Sequence, residues 1–174
     1  MYKAVLLITI ILFSIIVTLP ARVTHIPPPP SFNSLPKHIQ TQVMCIADNI
    51  YFEARGEPIK GQIAIGLVTL NRVYHTSYPS TPCQVVRQQA NKVCQFSWWC
   101  DSDLRSKRYH RRTVEYREIR DLAIDMYFNP YRYKDVTRGA LFYHATYVSK
   151  RRLGVKNLTK TAHIGNHIFY RTSQ

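Results

Sequence analysis

Residues 45–73, CIADNIYFEARGEPIKGQIAIGLVTLNRV, constrain the fold more than any other part of the chain. Two amphipathic segments flank a Glu-Ala-Arg-Gly-Glu-Pro corner, and burying both apolar faces holds the charged corner against a core. Upstream, Ile39, Val43, Ile46, Ala47, Ile50 and Ala54 recur at spacings of three and four, which predicts a helix over residues 36–54. Downstream, Pro58 suits a first helical turn, and Ile59, Ile63, Leu67, Leu70 and Val73 mark the buried face of a second helix. Asn71 and Arg72 fall near its far end. Glu53 lies in the last turn of the first helix, at the negative end of the helix dipole. In an apolar setting that position favours the protonated carboxyl, the form a general acid needs. The plain alternative for Glu53 and Glu57 is a solvated helix end paired with Arg55.

The wording of this stretch narrows the choice. Asn49, Tyr51, Glu53, Ala54, Arg55, Gly56, Glu57, Gly61, Gln62, Ala64, Asn71 and Arg72 form one block. Tyr78-Pro79 with Cys83-Gln84-Val85-Val86, and then Cys94-Gln95-Phe96-Ser97-Trp98, form two more. Ala140, Phe142, His144, Ala145, Tyr147 and Val148 follow, then Ile164-Gly165-Asn166-His167 and Phe169-Tyr170. In these blocks, taken in order, residues 43–171 resemble the SleB-type cell wall hydrolases, the family of spore-cortex-lytic enzymes and related bacterial and phage proteins. The resemblance implies a fold related to that of lysozyme-like lytic transglycosylases. It also implies an activity: cutting the bond between N-acetylmuramic acid and N-acetylglucosamine in peptidoglycan. A single glutamate, Glu53, would serve as acid and then base, and the sugar's own 6-hydroxyl would replace water to leave a 1,6-anhydro end. Tyr143, His144, Tyr147 and His167 would line the cleft, with hydrogen-bonded structural roles as the alternative for the two histidines. Glu57 and Asn71 join the implied substrate contacts, although Glu57 reads more simply as a cap or as the partner of Arg55. No cofactor is implied. The chain departs from the pattern at Trp99-Cys100 and in the basic stretch 149–155.

The 174 residues allow one domain with an appendage. Residues 4–19 are an unbroken apolar run, AVLLITIILFSIIVTL, after Lys3. The run is shorter than the roughly 20 residues of a full span and fits a secretory signal or a membrane anchor. Either exports the protein, to the periplasm or cell envelope, and Arg22 directly after a weak cleavage site favours an uncleaved tether in the inner membrane. Residues 1–22 are therefore a signal peptide or signal anchor, 23–36 a Pro-rich linker and 37–174 the catalytic domain. Pro27 to Pro30 favour an extended spacer, with an ordered arm held by Phe32 and Leu35 as the alternative.

Cys45, Cys83, Cys94 and Cys100 follow an export signal, so two disulfides are expected and three pairings are open. The favoured one joins Cys94 to Cys100, pinning the Gln-Phe-Ser-Trp loop, and Cys45 to Cys83, tying the first helix to the segment after the second. No Cys-x-x-Cys pair supports a zinc site, and no metal is expected. Pro82 opens a short helix with Val85 and Val86; residues 92–103 show no period and read as a loop. Thr113 caps a helix through Phe128 that Asn129-Pro130 ends. Residues 140–145 and 162–170 read as two strands of a small antiparallel sheet. The class is α+β: a mainly helical domain with a β-hairpin near its C-terminus.

A net charge of +14, from 24 Lys and Arg against 10 Asp and Glu, favours polyanions. Export and the lack of any nucleic-acid-binding motif argue against nucleic acid and leave the envelope, with peptidoglycan as the partner; nothing fixes the oligomeric state. Gln95, Phe96, Ser97 and Trp98 offer aromatic faces and polar groups for sugar rings, unless the aromatics simply cap the core. Asp48, five residues before Glu53, falls on another helix face. Two other classes stay in view. A metal-dependent amidase or peptidase would use His144, His163 and His167, but along one strand the last two lie roughly 13 Å apart. A non-catalytic envelope-binding protein would leave Glu53 idle. Replacing Glu53 by Gln separates all three.

Overall fold

The computed structural model describes residues 27–106 and 108–173. The apolar run at 4–19 lies outside them; among the described residues no helix is long and apolar enough to cross a membrane. The expected helices form as α1 (Lys37–Ala54) and α2 (Ile59–Tyr74). Then come α3 (Pro82–Val86), β1 (Gln89–Ala90), β2 (Val93–Cys94), α4 (Ser97–Cys100) and α5 (Ser102–Ser106). The chain ends with α6 (Val114–Phe128), β3 (Phe142–Ala145), β4 (Leu158–Ile164) and β5 (His167–Thr172).

Helix α1 packs on both α2 and α6, and the three bury Val43, Ile46, Ile50, Ile65, Val68, Ile119 and Met126 completely or nearly so. Each such side chain contributes about 1.5–3 kcal/mol, enough to hold the α1–α2 corner in place. Thr113 caps α6 by accepting from the Tyr116 amide at 3.1 Å, as expected. Both expected disulfides are present, Cys45–Cys83 between α1 and α3 and Cys94–Cys100 around the Gln-Phe-Ser-Trp segment.

Three expectations are corrected. From Phe32 on, the expected spacer is an ordered arm: Leu35 is buried, and the Arg120 guanidinium lies 4.8 Å over the Phe32 ring. Residues 92–103 are not a plain loop but carry β2, α4 and the start of α5; elements this short show no period in sequence. The β1–β2 turn is Asn91-Lys92, with φ of 50° and 65°, the left-handed pair of a two-residue hairpin. Lastly, residues 162–170 are not one strand. Gly165-Asn166 turns the chain, and the sheet has three antiparallel strands in the order β3-β5-β4. Gly165 has φ of +55°, and a Cβ there would lie 1.9 Å from Glu57 Oε2, so glycine is required twice over.

Candidate active site

An open groove of about 910 Å³ runs between the C-terminal turn of α1, the β1–β2 hairpin with α4, strand β3 and the loop that follows it. Glu53 lines it, set there by the last turn of α1. Burial pushes its carboxyl up from the usual value, while the neighbouring Tyr143 hydroxyl and Arg72 guanidinium pull it down, and burial prevails. The Tyr143 phenol is itself held well above its ordinary value, by burial and by the charge of Glu53, and stays protonated. Its hydroxyl is buried, with the Glu53 carboxyl and Asn49 beside it.

Arg72, absent from the expected site residues, also lines the groove. Only 2% exposed, it donates from Nε to the Leu141 carbonyl at 2.7 Å. Its guanidinium lies 5.2 Å from the Phe96 ring centroid and 5.4 Å from that of Tyr78, while Nη1 has no hydrogen-bond partner. A signal was present: Ile65, Val68, Thr69 and Arg72 share one helical face, so the arginine interrupts an apolar stripe. Phe52, Arg55 and Gln88 line the groove too and had no such signal.

Of the expected substrate contacts, Gln95, Phe96, Ser97, Trp98, Tyr143, His144, Tyr147 and His167 line the groove. Their surroundings differ. Phe96 and Trp98 are buried at 3% and 6% exposure, and Trp98 stacks on Phe52 at 4.7 Å and donates from Nε1 to Asn49 Oδ1 at 3.1 Å. They are packed core rather than free sugar platforms. Tyr147, 88% exposed, is the accessible ring. His144 donates from Nδ1 to the Ala145 carbonyl at 2.8 Å, leaving Nε2 to accept from the Tyr170 hydroxyl at 3.0 Å, which makes it a fixed structural histidine. His167 meets the Tyr143 ring edge-on at 5.5 Å, and burial lowers its pKa against the opposing pull of Glu57.

Glu57 and Asn71 do not line the groove. Glu57 accepts from the Asn166 amide and from Asn166 Nδ2, both at 3.0 Å, and so clamps the β4–β5 turn to the α1–α2 corner. Asn71 donates to Asp135, Thr137 and the Ala140 carbonyl, fixing the approach to β3. Asp48 is committed as well: it accepts from Arg111, and from the Tyr116 hydroxyl at 2.6 Å. The second carboxylate in the groove lining is Asp101, whose Oδ1 accepts from the Asp103 and Leu104 amides at the start of α5.

The histidines of the metal reading are not gathered. His163 is exposed on β4, His167 is buried on β5, and among the described residues no group of three His, Cys, Asp or Glu is placed to hold a metal.

A family model described as Cell Wall Hydrolase matches residues 56–170, opening just after Glu53, so the place of that residue rests on the geometry above. The spore cortex-lytic enzyme of Oceanobacillus iheyensis is 39% identical over 57 residues, 33% of this chain. Those residues span 21% of that relative, so the chain covers about a fifth of its length. The solved catalytic domain of the germination-specific lytic transglycosylase SleB from Bacillus anthracis matches with a TM-score of 0.55 and 27% identity over 84% of this chain and 100% of that one. The catalytic domain of the Bacillus cereus SleB protein matches at 0.52 and 26%, over 85% of this chain and 97% of that one. The fold is thus the mainly helical, lysozyme-like α+β type expected. With its signature, groove and fold in agreement, the chain belongs to the cell wall hydrolase family.

Proposed function

We propose that the protein is a lytic transglycosylase that cuts the β-1,4 bond between N-acetylmuramic acid and N-acetylglucosamine in peptidoglycan, with Glu53 as its acid and base. The observation that carries this reading is a single half-buried carboxylate, its pKa raised by burial, in an open groove where every other carboxylate near the corner is already committed. The protonated carboxyl of Glu53 gives its proton to the bridging oxygen as the C1–O bond breaks, and N-acetylglucosamine leaves with a new 4-hydroxyl. The carboxylate then takes the proton of the muramic acid 6-hydroxyl, whose oxygen bonds to C1. This closes the 1,6-anhydro ring and restores Glu53 with no water consumed. The solved SleB catalytic domain of Bacillus anthracis is named a lytic transglycosylase, which supports the same outcome here.

In the same groove, Arg72 Nη1 and Gln88 Oε1 are buried polar atoms with no hydrogen-bond partner inside the protein, and they suit the hydroxyl and N-acetyl groups of a sugar. Tyr147 supplies a ring face. Residues 4–19 tether the domain in the inner membrane, facing the envelope. Asp101 favours one second reading, hydrolysis to a reducing end with that residue as base. Glu53→Gln is the test of the acid: glycan cleavage is lost while the melting temperature stays within a few degrees. A variant that still cuts strands removes Glu53 from the mechanism.

A further inference from the structure

Three exposed aromatic side chains gather where α2 and α6 end. Tyr131 is 99% exposed, Tyr74 66% and Phe128 41%. Tyr74 neighbours Tyr131 and Tyr127, and the Tyr127 and Phe128 rings meet edge-on at 5.3 Å. The loop 129–139 that carries Tyr131 also exposes Lys134 and Arg138. Its one acid, Asp135, is turned inward, accepting from the Thr137 and Gly139 amides and from Asn71, so the outer face of the loop is basic.

The same face is where the chain enters the domain. Arg132, ion-paired to Asp125 at 3.0 Å, donates from Nη2 to the Pro27 carbonyl at 3.4 Å. Leu19, the last residue of the apolar run, precedes Pro27 by eight residues, which reach at most about 28 Å. If that run sits in a bilayer, Arg132 and its neighbours are held within that distance of the membrane surface.

We propose that Tyr74, Phe128 and Tyr131, with Lys134 and Arg138, form a face that rests on the anionic headgroup layer of a lipid bilayer. Tyrosine is suited to that depth, its ring in the interface and its hydroxyl in water. Each cation near an anionic surface contributes roughly a fivefold preference for it. The proposal rests on the tether reading above and adds an orientation: the face around Tyr131 points to the membrane.

The test uses the full chain in vesicles of phosphatidylglycerol and phosphatidylcholine that carry a headgroup nitroxide quencher. The native cysteines among the described residues are all in disulfides, so a fluorophore can be placed at Tyr131→Cys and, for comparison, at Val93→Cys, a 70% exposed position on the β1–β2 hairpin. The label at 131 should be quenched at least twofold more than the label at 93, and Lys134→Glu with Arg138→Glu should remove the difference. Equal quenching in a chain that stays with the vesicles overturns the orientation alone. A chain that does not stay with them sinks the tether and this proposal together. A label at 131 that responds to soluble peptidoglycan fragments but not to the quencher lipid assigns the face to glycan and overturns it.

Discussion

Replacing Gly165 by Ala tests how the β4–β5 turn is locked to the α1–α2 corner. The new methyl would lie 1.9 Å from Glu57 Oε2 and 3.1 Å from its carboxyl carbon. Glu57 Oε2 is the free end of a flexible side chain, so the clash is relieved by swinging the carboxylate away. The carboxylate must therefore leave the turn and give up its hydrogen bonds to the Asn166 amide and Nδ2. Two such bonds to a charged carboxylate, both at the exposed turn, contribute about 2–4 kcal/mol, and alanine at φ of +55° costs about 1 more. The expected destabilisation is about 3–5 kcal/mol, or a melting temperature lowered by about 10 °C for a domain of this size. Thermal unfolding of Gly165→Ala, Glu57→Ala and the double variant measures it. With Glu57 removed, Gly165→Ala should cost only its backbone share of about 1 kcal/mol, leaving a coupling of about 2–4 kcal/mol. Additive costs, or a Gly165→Ala melting temperature within 2 °C of the parent, would refute the clamp.

Asp48→Asn should cost about 2–4 kcal/mol at neutral pH, because Arg111 loses its counter-charge. Burial alone would raise the Asp48 carboxyl, but contacts with His110, Arg111 and Tyr116 outweigh it and hold the carboxyl below 3.8. Its stabilisation is therefore complete above that value and is lost as pH falls through the folded-state pKa; denaturant unfolding from pH 7 down to about 2 should show a shallower acid slope in the variant. Tyr143→Phe removes a contact that lowers the Glu53 pKa, so Glu53 stays protonated to higher pH and the alkaline limb of the cleavage profile moves up. An unmoved limb would show that Tyr143 does not act on Glu53. Replacing Cys45 and Cys83 by Ser opens a loop with a sequence separation of 38 and should cost about 4 kcal/mol in thermal unfolding.

The long helices and the corner were legible because Ile46, Ile50, Ile65 and Ile119 keep a helical period that only burial explains. The position of Glu53 at the end of α1, in the groove lining, was legible for the same reason: a helix end is fixed by the two apolar faces that flank it. Phe96 and Trp98 were legible as a cluster but not as packed core, since composition does not say which ring faces are covered. Glu57 was misplaced because its partner Asn166 lies 109 residues away, and pairing at that separation leaves no local pattern. The Gly165-Asn166 turn hid inside an aromatic, β-branched run for a related reason: strand propensity continues across a two-residue turn without a break.

Mass spectrometry of the soluble fragments released from purified peptidoglycan, by the native protein and by Glu53→Gln, tests the central claim most directly. The account predicts 1,6-anhydro-muramic ends with the native protein and no glycan fragments with the variant. Reducing ends would replace the intramolecular attack by water and bring Asp101 into the mechanism. Intact glycan with released peptides would contradict the glycosidase reading itself.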